Sequence, residues 1–133
     1  MKKLSLFLVL ILCSGPLLAK DMHQRHAVFG VGGESCGSYL KARSAGGNRF
    51  NAYYDWITGY LSAFNLIVAN TYNILGEHRI ADALKRLDDY CSSHNDEVFI
   101  TAMAMLTEVY YGERTNFIKD ENRSWGEALT TDK

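Results

Sequence analysis

Proline is almost missing from this chain. The single copy among 133 residues is Pro16, so no later ring interrupts a helix or removes a backbone donor. That absence suits helices without proving them. Basic residues form no tract and do not interleave with aromatics, which argues against a nucleic-acid partner. After the first nineteen residues no run is apolar enough to span a bilayer, so no membrane insertion is expected of the mature chain. Internal repeats are absent. Catalytic groups are sparse: no set of nucleophile, base and orienting residue stands out, no metal ligand set is complete, and no cofactor motif is present. The expectation is therefore a protein that is not an enzyme.

What is present begins with a secretory signal. Lys2 and Lys3 precede the apolar run Leu4–Leu12, and Leu17-Leu18-Ala19 offers a small-residue processing site. Leu12 before Cys13 is too large for lipoprotein processing, so Cys13 is expected to leave with the segment 1–19. The balance of 14 basic and 15 acidic side chains then shifts by two toward acid. The remainder, Lys20–Lys133, is expected to be one domain with a modest core, delivered to an oxidising compartment outside the cytoplasm.

Two cysteines survive there, Cys36 and Cys91. In an oxidising compartment such a pair closes into a disulfide. On the chain-entropy account the loop between them would stabilise the fold by about 4 kcal/mol, a large part of the ~5–15 kcal/mol typical of a domain.

The spacing of apolar residues predicts an all-α domain of four to five helices, compact, with one long central helix and the disulfide joining the first and third. Residues 20–34 read as an irregular lead-in, 35–115 as the helical domain and 116–133 as a polar tail. Ser35 caps a first helix to about Arg43, with Tyr39 and Leu40 inward. Ser44–Asn48 breaks the chain. The long helix runs from about Arg49 to Tyr72, burying Tyr53, Ile57, Tyr60, Leu61, Phe64 and Val68, with Trp56 and Ile67 widening that face. Asp55, Thr58, Ser62 and Asn65 form its polar stripe. Gly59, a cost inside a helix, is expected with Ala63 to admit a neighbouring helix. Asn73–Glu77 is a loop pivoting on Gly76. A third helix spans about His78–Ser92, with Ile80, Leu84, Leu87 and Cys91 inward. After Ser93-His94-Asn95, Asn95 is expected to cap a fourth helix, with Asp96 and Glu97 in its first turn. Its inward stripe is Val98, Ala102, Met105, Leu106 and Val109, and Gly112 ends it. Phe117–Lys133, largely polar with Trp125 at its middle, reads as a short helix or loose tail.

Several features suggest chemistry and have plainer explanations. His23 and His26 lack a third ligand and read as a solvated tail. Gly30-Val31-Gly32-Gly33 lacks the Lys-Ser/Thr ending of a phosphate loop and reads as a linker. Asp88-Asp89 and Asp96-Glu97 read as solvated surface, because exposed neighbours rarely have the divided pKa values of an acid–base pair. Tyr53-Tyr54 and Tyr110-Tyr111 cannot both point inward on a helix. At least one of each pair should therefore lie near the surface, where tyrosine favours protein contacts.

Cys36 with Tyr39-Leu40, then Trp56-x-x-Gly59-Tyr60-Leu61-x-Ala63-x-Asn65, then Leu87-x-x-Tyr90-Cys91, then an apolar helix with Ala102, resembles the Rap/Tai immunity family. The resemblance covers about Ser35 to Val109. It departs where that pattern has a proline after the second cysteine and this chain has Ser93, His94 and Asn95. Such proteins are small exported helical inhibitors of bacteria with type VI secretion. The resemblance implies a homodimer that pushes a loop into the cleft of a peptidoglycan amidase effector and keeps cell-wall peptide away. The loop would be Ser92, Ser93, His94, Asn95, Asp96 and Glu97, or alternatively Asn73–His78. A second reading is an acid-stress chaperone similar to the HdeA type, also periplasmic, helical and held by one disulfide. A third is an exported binding protein without an assigned role.

Overall fold

The structure is a computed structural model and describes residues 26–116. The signal segment, His23 and the stretch from Phe117 onward lie outside the described residues. A 3-10 turn at Gly30–Gly33 leads into four helices: α1 (Cys36–Ala45), α2 (Gly47–Ile67), α3 (Ile80–Ser93) and α4 (Phe99–Tyr110). The disulfide between Cys36 and Cys91 ties α1 to α3, with Cα atoms 4.9 Å apart across 55 residues of sequence. Both cysteines are fully buried.

Local chemistry sets the ends of these helices. The Ser35 hydroxyl accepts from the Ser38 amide at 3.2 Å and so caps α1. Gly46 and Gly47 both have positive φ, +68° and +64°, which turns α1 into α2 within one residue. The break is thus narrower than Ser44–Asn48. α2 ends at Ile67 and not near Tyr72. The chain reverses through Asn70 at φ +55°, and the Asn65 side chain accepts from the Ile74 amide at 2.8 Å, drawing the loop back onto the helix end. α3 starts at Ile80, where the Asp82 carboxylate accepts from the Arg79 amide at 3.0 Å. That hydrogen bond is the main reason the Asp82 carboxyl is held below its ordinary range.

The core is aromatic at its centre. Tyr39 stacks on Phe99 with ring centroids 4.6 Å apart, and Tyr53 meets Phe99 edge-on at 5.3 Å. Ile57 and Leu61 from α2, Ala83, Leu84 and Leu87 from α3, and Met103 and Leu106 from α4 complete it. Tyr53 and Tyr110 are fully buried while Tyr54 and Tyr111 lie at the surface, so each doublet is divided.

Buried phenols need partners for their hydroxyls. Tyr39 donates to Asp88 at 2.6 Å, and Arg43 donates to the same carboxylate. Asp88 is therefore a fastening between α1 and α3, not the free surface group expected of it. Tyr53 donates to Glu34 at 2.7 Å, and Arg49 pairs with that carboxylate. Arg86 donates to the Tyr110 hydroxyl at 3.0 Å and lies over its ring.

Three further expectations are corrected. The glycine-rich lead-in is packed, not a linker: Val31 and Gly32 are buried, and Trp56 donates to the Phe29 carbonyl at 2.9 Å. A Cβ on Gly32 would stand 2.0 Å from the indole, so only glycine leaves room for Trp56 there. Among the described residues Gly59 admits no helix, since nothing comes within 4 Å of a Cβ placed there, and Ala63 is exposed. Ile67, the last residue of α2, is 77% exposed and does not widen the buried face.

Candidate partner-binding tip and the adjoining groove

An α-helix leaves its first amides without internal acceptors. In α1 the turn after α3 supplies two of them. The Cys36 amide donates to the Glu97 carbonyl at 2.8 Å, and the Gly37 amide to the Asn95 carbonyl at 2.8 Å. The Phe99 amide returns to the Glu34 carbonyl at 2.7 Å, and Ser35 bridges Val98. Residues 92–97 are therefore fastened along the start of α1, directly above the disulfide.

That arrangement overturns the expected role of Asn95. It does not cap α4, which begins at Phe99 after Val98 with no side-chain cap. Its backbone is committed to α1, and its side-chain oxygen lies where a Cβ on Gly37 would come within 2.2 Å. Asp96 and Glu97 accordingly precede α4 instead of forming its first turn. The spacing of Asn95 before an apolar run could not reveal this, because the competing partner is nearly sixty residues away in sequence.

The tip also has its own internal bonds. The Ser92 hydroxyl donates to the Asp89 carbonyl at 2.7 Å. The His94 ring lies flat against the Tyr90 ring at 4.1 Å, and its Nδ1 is 2.9 Å from the Tyr90 carbonyl. The Tyr90 hydroxyl donates to Glu97 at 2.7 Å, which raises the phenol above its ordinary range. Ser92, Ser93, His94, Asn95 and Asp96 are all exposed, while Glu97 is half-buried. The result is a stiff, outward-facing turn with an acidic side chain at its end.

The alternative loop, Asn73–His78, is differently disposed. Ile74 and Leu75 are buried in the core. Its backbone pairs with Thr115, and its Asn73 side chain bonds within the loop to the Leu75 amide and Gly76 carbonyl. Gly76, at φ +58°, faces the Glu113 carbonyl, and the His78 ring pairs with the Glu113 carboxylate. Most of its groups are directed into the fold, so 92–97 is the better candidate.

The residues of the Trp-to-Asn motif separate by face. Trp56, Tyr60, Leu61 and Asn65 turn inward: Trp56 stacks on Tyr60 at 5.5 Å, Leu61 is buried, and Asn65 holds the loop. Burial raises the Tyr60 phenol. Gly59 and Ala63 turn outward.

Beside the tip, α3 and α4 leave a shallow groove of about 190 Å³. Leu87, Ala102 and Leu106 form its floor, with Met105, Val109 and Tyr90 along its sides. Met105 is 40% exposed and Val109 46%, so these members of the expected inward stripe lie on the groove instead. α4 instead turns Met103 and Tyr110 into the core, where both are fully buried.

Among the described residues no three His, Cys, Asp or Glu side chains converge as metal ligands, and no helix is long and apolar enough to cross a membrane. No protein-family model, no curated protein and no solved structure matches the chain.

Proposed function

We propose that the chain is a periplasmic immunity protein that binds a type VI secretion peptidoglycan amidase and occludes its cleft with residues 92–97. The observation that carries this reading is the tip itself: an acidic turn held from below by a disulfide and from the side by the amides of α1. A plug needs stiffness and complementary charge, not chemistry. Preorganisation of this kind reduces the ordering cost of binding. The sequence resemblance supplies the class of partner and the homodimer, and the signal expected at residues 1–19 supplies the compartment.

Asp96 is the residue to test, since Glu97 is engaged by Tyr90. Asp96→Lys should weaken binding to the cognate peptidoglycan amidase about tenfold or more in low salt, with the difference shrinking as ionic strength rises. Titration calorimetry at two salt concentrations reads this directly. Wild-type protein that neither binds nor inhibits that amidase overturns the reading.

A second reading has one specific observation in its favour. Tyr53 and then Arg49 hold the Glu34 carboxyl below its ordinary range, so acid would loosen that fastening between the lead-in and α2. An acid-stress chaperone would exploit that opening. Light scattering of an aggregation-prone client in acid distinguishes the two: suppressed aggregation favours the chaperone.

A further inference from the structure

A turn as short as 92–97 is a small handle for a protein partner. A stable protein–protein interface takes about 800 Å² from each side, so a tip that enters a cleft also brings the surface around it against the cleft's rim. The groove between α3 and α4 is such a surface. It begins at Tyr90, three residues before α3 ends at Ser93, which is about 4.5 Å of helix. Tyr90 belongs to both features: it lines the groove, its ring stacks on His94, and its hydroxyl holds Glu97. Beyond it Met105 and Val109 stand exposed over a floor of Leu87, Ala102 and Leu106. Exposed apolar side chains gathered in this way mark a contact surface.

The charge beside the groove agrees in sign with that of the tip. Arg86 is committed to Tyr110, donating to its hydroxyl and lying over its ring. Asp89 is exposed and enters no salt bridge among the described residues. The uncommitted charge at this end of the groove is thus negative, like that of Asp96. We infer that the groove is a second contact zone for the partner that takes the tip. Its occupant is a surface segment of the amidase with an apolar side chain against Met105 and Val109 and a lysine or arginine beside it, facing Asp89. This rests on the amidase reading and adds to it an apolar centre beside the acidic turn. Such centres carry most of an interface's affinity, whereas charges at the rim chiefly set approach and salt dependence.

The test is titration calorimetry of the full oxidised mature chain against the cognate peptidoglycan amidase, at low and high salt. Met105→Gln combined with Val109→Thr keeps size and helix preference but places unpaired polar groups in the contact. The pair should weaken binding about tenfold or more, equally at both salt concentrations, and make the heat-capacity change of binding less negative. Asp89→Asn should weaken binding in low salt only. The free variants should match wild type in melting temperature and in sedimentation. Wild-type affinity in the double variant, with Asp96→Lys still weakening, overturns the groove and leaves the tip standing. Wild-type protein that does not bind overturns both readings. A lowered melting temperature or a lost dimer in the double variant also overturns the inference, since the groove would then be covered by the chain itself or by a second copy.

Discussion

Four tyrosines in this domain bring a hydroxyl to a charged partner, three of them with fully buried rings and Tyr90 from the side of the groove. Tyr39, Tyr53 and Tyr90 each donate to a carboxylate, and Tyr110 accepts from Arg86. Burial, and then the Asp88 carboxylate, raises the Tyr39 phenol; burial, and then Glu34, raises that of Tyr53. Removing one such hydroxyl, as in Tyr39→Phe, should cost about 1–2 kcal/mol, since a hydrogen bond to a charged group is lost while Arg43 still holds the half-exposed Asp88. Urea unfolding checks this. Glu34 shows the effect of the same geometry on the acid. Its carboxyl lies below the ordinary value of 4.5, chiefly because Tyr53 donates to it and then because Arg49 does. A lowered folded value means that stabilisation is complete above the unfolded value and is lost as pH falls through the folded one. Stability should therefore fall below about pH 4.5, and the gap between wild type and Glu34→Gln should close in acid. Equilibrium unfolding across a pH series measures both. None of these pairings was legible in the sequence, because each joins residues 7 to 49 positions apart and no local pattern marks them.

At the scale of the elements, the helices were legible and their boundaries less so. Periodicity located the buried stripe of α2 at Tyr53, Ile57 and Leu61, and Ser35 marked the start of α1 correctly. Asn95 misled because capping preference is a local tendency, whereas the amides of α1 are a stronger claim on the same turn. Gly37→Ala tests that claim. Its new Cβ would press on Asn95, so the substitution should destabilise by about 1–3 kcal/mol and also displace the tip. Hydrogen exchange should quicken at the Cys36 and Gly37 amides. Gly59 gives the opposite expectation. With open space around it, Gly59→Ala should stabilise α2 by about 1 kcal/mol, read as a raised denaturation midpoint. A decrease would mean that a second molecule uses this face.

For the whole molecule, the decisive bond is the disulfide. Cys36 and Cys91 join the two elements that also carry the tip, so cutting it loosens the domain and the candidate site together. Replacing both cysteines with alanine should cost about 2–5 kcal/mol and lower the melting temperature in the same way as reductant does to the native chain. Calorimetry with and without dithiothreitol compares the two. A protein equally stable when reduced would contradict this account.

The amino-acid sequence alone determined the all-helical class, the disulfide partners and about half of the core residues. Those follow from residue type and from spacing within a few turns of chain. Only the tertiary structure decided that residues 92–97 cap α1, that Asp88 and Glu34 are fastenings and not free surface, and that Met105 and Val109 line a groove. The reason is physical: an orphan amide, a buried hydroxyl or an apolar side chain takes whichever partner folding brings nearest, and sequence distance does not limit that choice.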